Sequence, residues 1–124
     1  MTAQQGYVPG RHRIDDYGGG GFRFADMSHR GSILALPTGI RAIPPAAWNE
    51  IDAACVDLAL AEGGDLDLLI FGTGKDLMPV ASALRARLRA AGVGSEIMST
   101  GAAVRTYNML VDEGRRVAAL LIAV

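Results

Sequence analysis

The feature that most narrows the fold is an alternation running through the second part of the chain. Short apolar runs are separated by longer segments of helical period, and glycine or proline marks most boundaries. Residues 39–43 read as a strand. Behind Pro44-Pro45 the period changes: Trp48, Ile51, Cys55 and Leu58 recur at helical spacing until Gly63-Gly64 ends the segment. Residues 66–71 are apolar except for Asp67, as expected of a strand covered on both faces. A second helix is expected near Pro79, a residue favoured in a first helical turn, with Val80, Leu84, Leu88 and Ala91 as its apolar stripe. Gly92 stops it. Residues 93–98 then read as a strand, 101–113 as a helix and 116–124 as a final buried strand. Strands that alternate with helices in this way form a parallel sheet with right-handed crossovers.

The first forty residues carry a different pattern. Residues 1–12 read as a flexible lead-in, and residues 13–124 as a single α/β domain, since 124 residues suit one core. Residues 13–17 have strand character, followed by Gly18-Gly19-Gly20-Gly21 as a turn or wide bulge and by the alternating Phe22-Arg23-Phe24. Residues 27–31 read as a further turn. Residues 32–36 form the strand that precedes Pro37-Thr38. These segments add β hairpins to the parallel sheet.

Composition excludes several classes of function. The chain is 50% hydrophobic and 20% charged, enough apolar content for a packed core. Its formal net charge of −1 argues against nucleic acid as a partner, because phosphate binding draws on a basic excess. Cys55 is the single cysteine, so no internal disulfide and no cysteine metal cluster can form, and neither metal nor cofactor is expected. The first thirteen residues contain no apolar signal core, and the apolar run at 117–124 is too short to span a bilayer.

The candidate chemistry lies at two turns. Gly72-Thr73-Gly74-Lys75 follows a strand and precedes a helix, where phosphate loops sit. It fails the nucleoside triphosphate pattern, since Asp76 replaces the Ser or Thr after the lysine, and Leu77 stands where a dinucleotide fingerprint needs its third glycine. Its backbone amides and Lys75 could still hold a carboxylate or phosphate, although a tight turn that needs glycine for its dihedrals is the favoured account. Ser99-Thr100 opens the next helix, with Thr100 read as its N-cap. Both turns fall at the carboxyl edge of the sheet, where open α/β sheets bind ligands. Gly72, Thr73, Gly74, Lys75, Ser99 and Thr100 are therefore the candidate ligand-binding set.

Helical phasing divides the segment beyond Thr100. Ala103, Tyr107, Leu110 and Gly114 share the inner face, flanked by Val104 and Thr106. Arg105, Asn108 and Asp112 take the other side, with Met109 exposed among them. Asn108 and Glu113 lie about 140° apart, so the expectation is that each fixes a local backbone connection rather than one shared substrate. His12 and His29 read as surface histidines, Cys55 as core, and Arg85 with Arg89 as a solvated face. No serine stands in a nucleophile elbow. No catalytic set emerges.

The run Thr100, Thr106-Tyr107-Asn108, Leu110, Glu113-Gly114-Arg115 resembles a motif of the respiratory complex I assembly factor 3 family, whose bacterial and archaeal members make up domain of unknown function 498. The likeness continues through Tyr17-Gly18, Gly21-Phe22, Gly31-Ser32 and Leu69-Ile70-Phe71-Gly72-Thr73-Gly74. It implies a three-layer α/β fold, a mainly parallel central sheet with helices on its faces plus an N-terminal β-hairpin layer. It marks Thr106, Tyr107, Asn108, Glu113 and Arg115 as motif residues without assigning any of them a catalytic role. The resemblance also implies a non-catalytic accessory protein with protein partners, respiratory-complex or export components among them. That protein would be cytoplasmic, peripheral to the inner membrane, and without nucleic acid or a membrane span. With no mitochondrial presequence in view, a prokaryotic member is expected. The other reading is a binder of small anionic molecules, or an enzyme, using the carboxyl-edge crevice.

Overall fold

The computed structural model describes residues 6–124. Residues 1–5, the start of the expected lead-in, lie outside the described residues. The organising element is the strand Leu68–Gly72, here β7, whose side chains alternate between two separate cores. Leu69 and Phe71 point into one, Ile70 into the other, as the twofold period of a strand requires. β9 (Val117–Leu121) is buried throughout and runs parallel to β7 in the register Ile70↔Ala119. On the far side of β7, β8 (Gly94–Met98) is also parallel. β5 (Ile33–Leu36) closes on β9 antiparallel, pairing Ala35 with Ala119, and β6 (Gly39–Ala42) and β1 (Tyr7–Pro9) extend the sheet. The six-stranded order is β1-β6-β5-β9-β7-β8.

This order decides which face each helix covers. The step from β7 to β8 moves outward, and the step from β8 to β9 returns past β7. Right-handed crossovers then place the two intervening helices on opposite faces. Leu84 and Leu88 of α2 (Ser82–Ala90) accordingly join Val56 and Ala59 of α1 (Ala53–Glu62) in the core with Phe71. Ala103, Val104 and Tyr107 of α3 (Thr100–Asp112) pack on the opposite side with Ile70. There a second sheet joins α3: β2 (Asp16–Gly18), β3 (Gly21–Phe24) and β4 (Met27–Arg30), in sequential antiparallel order. Phe22 and Phe24 seal it against Ile33 and Ala35. The result is the three-layer α/β arrangement, with the N-terminal strands forming a β layer. The parallel part of the central sheet is confined to β9, β7 and β8; β5, β6 and β1 arrive by antiparallel pairing.

Several local expectations are corrected. Tyr7–Pro9, inside the stretch read as a lead-in, pairs with β6. Residues 27–30 are a strand, not a turn, because the chain reverses at Ala25-Asp26, both at positive φ (51° and 61°). A hairpin reversal of that hand favours Asn and Gly, so Ala-Asp gives little warning of it. His29, opposite Phe22, consequently turns inward, its ring centroid 6.3 Å from that of Phe24, and is half-buried rather than a surface histidine. Trp48–Glu50 is a single 3₁₀ turn, and α1 begins after Asp52, whose side chain accepts from the Cys55 amide. Pro79 precedes α2 and lies outside any helix or strand, and the N-cap of α3 is Ser99, not Thr100.

Gly72 lets α3 approach β7. A Cβ there would lie 2.9 Å from Leu121 Cδ2 and 3.1 Å from both Ala103 Cβ and the Thr100 Cα. Gly72→Ala is expected to cost about 1–3 kcal/mol by overpacking. Urea unfolding should show a lower midpoint at an unchanged slope.

Candidate functional site

The structure brings the candidate residues at the carboxyl edge together and uses their polar groups internally. The Gly74 amide donates to Thr100 Oγ1 (2.9 Å), the Thr100 amide to the Gly74 carbonyl (2.8 Å), and the Thr100 hydroxyl to the Ile122 carbonyl (2.7 Å). The Ile122 amide in turn donates to Gly72 (2.9 Å), and the Thr73 amide to Met98 (2.9 Å). The Thr73 hydroxyl donates to the Asp76 carbonyl (2.7 Å) and accepts from the Met78 amide (2.9 Å). Thr73 and Thr100 are both buried. Ser99 caps α3 by accepting from Ala102. Lys75 alone of the six reaches out as an exposed side chain. These bonds lock the turn after β7 to the start of α3 and to the end of β9. They satisfy groups that would otherwise be costly to bury.

A second constellation lies on the outer side of α3. Asn108 Oδ1 accepts from the Ile14 amide and Asn108 Nδ2 donates to the Ile14 carbonyl, both at 2.8 Å. The side-chain amide thus acts as one rung of a β ladder and holds buried Ile14 in the core beside Phe22. This is a connection across 94 positions, not the local one expected from sequence. Arg13 pairs with Asp112 next to it, and the Tyr107 hydroxyl reaches the His12 carbonyl at 3.4 Å. Arg13, Arg105, Asn108, Met109, Asp112 and Glu113 line an open groove of about 510 Å³. Asn108 and Glu113 border the same groove despite their separation around the helix, but the Asn108 amide is committed to Ile14. Met109 is 52% exposed, as its phase on the helix requires. Arg13 escaped the sequence reading, because nothing local to it signals a partner 99 positions away.

The other motif residues shape the helix and its end. The Gly114 amide donates to Val111 and the Arg115 amide to Leu110, with Gly114 at φ 76°. This is a Schellman stop, which explains glycine between Glu113 and Arg115. Thr106 is half-buried, while the Glu113 and Arg115 side chains are exposed. Among the described residues, no three His, Cys, Asp or Glu side chains come together as a metal site, and no helix is long and apolar enough to cross a membrane.

Tyr107 is fully buried, and burial pushes its pKa up from 10.0 to about 12. The folded chain keeps that proton where the unfolded chain has lost it. Its contribution is therefore complete below about pH 10 and drains away as pH rises toward 12. Wild-type stability should fall by roughly 2–3 kcal/mol more than that of Tyr107→Phe across this window, read from urea midpoints. For the clamp, Asn108→Ala should cost about 1–3 kcal/mol and accelerate hydrogen exchange at the Ile14 amide more than at β7 amides. Unchanged exchange at Ile14 would refute the clamp.

The family described as "Protein of unknown function (DUF498/DUF598)" matches residues 14–122. The chain is 43% identical over 122 residues to an uncharacterized protein of Rhodobacter capsulatus, covering 98% of this chain and 93% of that one. A crystal structure described as an outer membrane protein from Bartonella henselae superposes with a TM-score of 0.87 at 48% identity, covering 93% of this chain and 97% of the other. An NMR structure of a Rhodopseudomonas palustris protein gives a TM-score of 0.81 at 42% identity, with 99% and 93% covered.

Proposed function

The chain belongs to the family of proteins of unknown function DUF498/DUF598, and from that premise we propose that it is a non-catalytic accessory factor that binds another protein through the outer face of α3. The observation that carries this reading is Met109. It stands half-exposed on a helix fixed by the Asn108–Ile14 clamp, with Arg105, Glu113 and the Arg13–Asp112 pair around it. An apolar anchor inside a charged rim is the usual anatomy of a protein interface, and a rigid support lowers the ordering cost of docking. The consumed polar groups at the carboxyl edge weigh in the same direction, since little there is left to offer a substrate.

The resemblance to complex I assembly factors supports a partner among respiratory-complex or export components. It also supports a cytoplasmic protein peripheral to the inner membrane. The Bartonella relative is described as an outer membrane protein, which is a different membrane from the one proposed here. The second reading, an anionic small-molecule site or an enzyme at the carboxyl edge, rests on exposed Lys75 beside the glycine turn. It ranks lower because the neighbouring amides and hydroxyls are already paired.

Affinity capture from membrane-associated extracts with the wild-type chain should recover a respiratory-complex or export component. Met109→Lys should abolish that capture while shifting stability by no more than about 0.5 kcal/mol, as expected of an exposed site. Equal capture by both proteins, or no such component with the wild type, would sink the proposal.

A further inference from the structure

The outer face of the β2–β3–β4 sheet carries groups that the fold leaves unused. Its register sets out two rows: Asp16, Arg23 and Ser28, then Gly18, Gly21 and Arg30. Directly opposed residues share a face, and alternate residues do too. Phe22 and Phe24 point into the core, so Arg23 and both rows face away from it. The second row has no side chain at two of its three positions. Gly18 and Gly19 hold φ of 135° and 61°, and no atom lies within 4 Å of where their Cβ would be. Gly21 can carry none, because a Cβ there would fall 2.1 Å from the His29 carbonyl oxygen. The backbone thereby keeps open a basin of about 450 Å³.

Two guanidinium groups border this basin. Arg23 Nη1 donates to Ser28 Oγ at 2.8 Å, which orients the fork and leaves its other donors available. Arg30 Nη1 stands over the glycine turn, 3.6 Å from the Cβ position of Gly20. Arg13, Arg41, Arg87 and Arg116 each reach a carboxylate, and among the described residues Arg23 and Arg30 do not. Asp16 is directly opposite Arg23, yet its Oδ1 is turned to the Tyr17 amide. As diagonal neighbours, Arg23 and Arg30 are spaced by about 7–8 Å, with their Cβ atoms somewhat nearer, close enough for both long side chains to fold onto one ligand.

We propose that this basin binds a small phosphate monoester, with Arg23 and Arg30 on the phosphate and Asp16 accepting from a hydroxyl of the organic part. Planar guanidinium forks match tetrahedral oxyanions, and two of them suit a dianion better than a single carboxylate. The site is independent of the α3 face and of the carboxyl-edge turn, so the proposal stands or falls separately from the protein-binding reading.

The test is a titration of the ¹⁵N-labelled chain with ribose 5-phosphate, inorganic phosphate and ribose. Ribose 5-phosphate should shift the amides of residues 16–30 saturably, inorganic phosphate should shift the same amides more weakly, and ribose should leave them in place. The doubly substituted Arg23→Gln, Arg30→Gln chain should bind at least about tenfold more weakly, the loss expected when charge-assisted bonds are removed. Its undisturbed amide spectrum elsewhere would confirm that it is folded, and Arg30→Lys should retain part of the affinity. No saturable shift up to about ten millimolar, equal binding by the double variant, or shifts centred on Lys75 would each overturn the proposal. Co-sedimentation with phosphatidic acid vesicles but not phosphatidylcholine vesicles, without ribose 5-phosphate binding, would assign the phosphate to a lipid headgroup and overturn the soluble ligand.

Discussion

Everything in this fold answers to one requirement, that β7 and β9 be covered on both faces. Their side chains are apolar on each side, so a single covering layer would leave half of them in water. On one face α1 and α2 suffice, because together they lie over Leu34, Leu69, Phe71 and Leu120. On the other face α3 covers the part around Ile70 and Leu121, and Ile33 and Ala35 of β5 need a second cover. The small β2–β3–β4 sheet supplies it through Phe22 and Phe24. The third layer is thus the consequence of a central sheet wider than one helix.

What could be read from sequence follows from the range of each interaction. The run 66–71, the Gly92 stop and the α3 phasing were legible because neighbouring residues set them. β4 was missed because its turn uses Ala25-Asp26 at positive φ, where the usual glycine or asparagine is absent. The helical period continues across Ile51 and so draws Trp48 into α1, although Asp52, a preferred N-cap residue, is the local sign of the later start. Thr100 looked like a cap because its chemistry suits one; only the folded chain reveals that its hydroxyl spans Gly74 and Ile122. At the candidate sites the meeting of the two carboxyl-edge turns and the exposure of Met109 were legible from alternation and phasing, and the long-range hydrogen-bond partners were not. The Ile14 partner of Asn108 and the glycine floor beside Arg30 both depend on register, which a linear pattern does not carry.

The dense motif in α3 has a physical explanation that requires no reaction. Tyr107 fills the core, Asn108 clamps Ile14, Gly114 ends the helix in the left-handed region, and Thr100 joins two strand ends. Gly31-Ser32, upstream, belongs to the same scheme: the Ser32 hydroxyl oxygen accepts from the Ala123 amide. Such residues are constrained because each serves a buried polar or steric demand that few other side chains meet. The two proposed sites, around Met109 and beside Arg23, lie instead on exposed faces.

The pairing of β5 with β9 has a consequence for how the chain is made. Ala35 meets Ala119, and Ile14 meets Asn108, so the earliest segments are completed by the latest ones. Contacts of such high order close large loops and slow the search for the native topology. During synthesis the hairpin of β5 and β6 emerges with the inner edge of β5 unpaired, and it stays so until the last strand leaves the ribosome. The interval between those two events is when the chain is most open to β pairing with other chains, and most in need of protection from it.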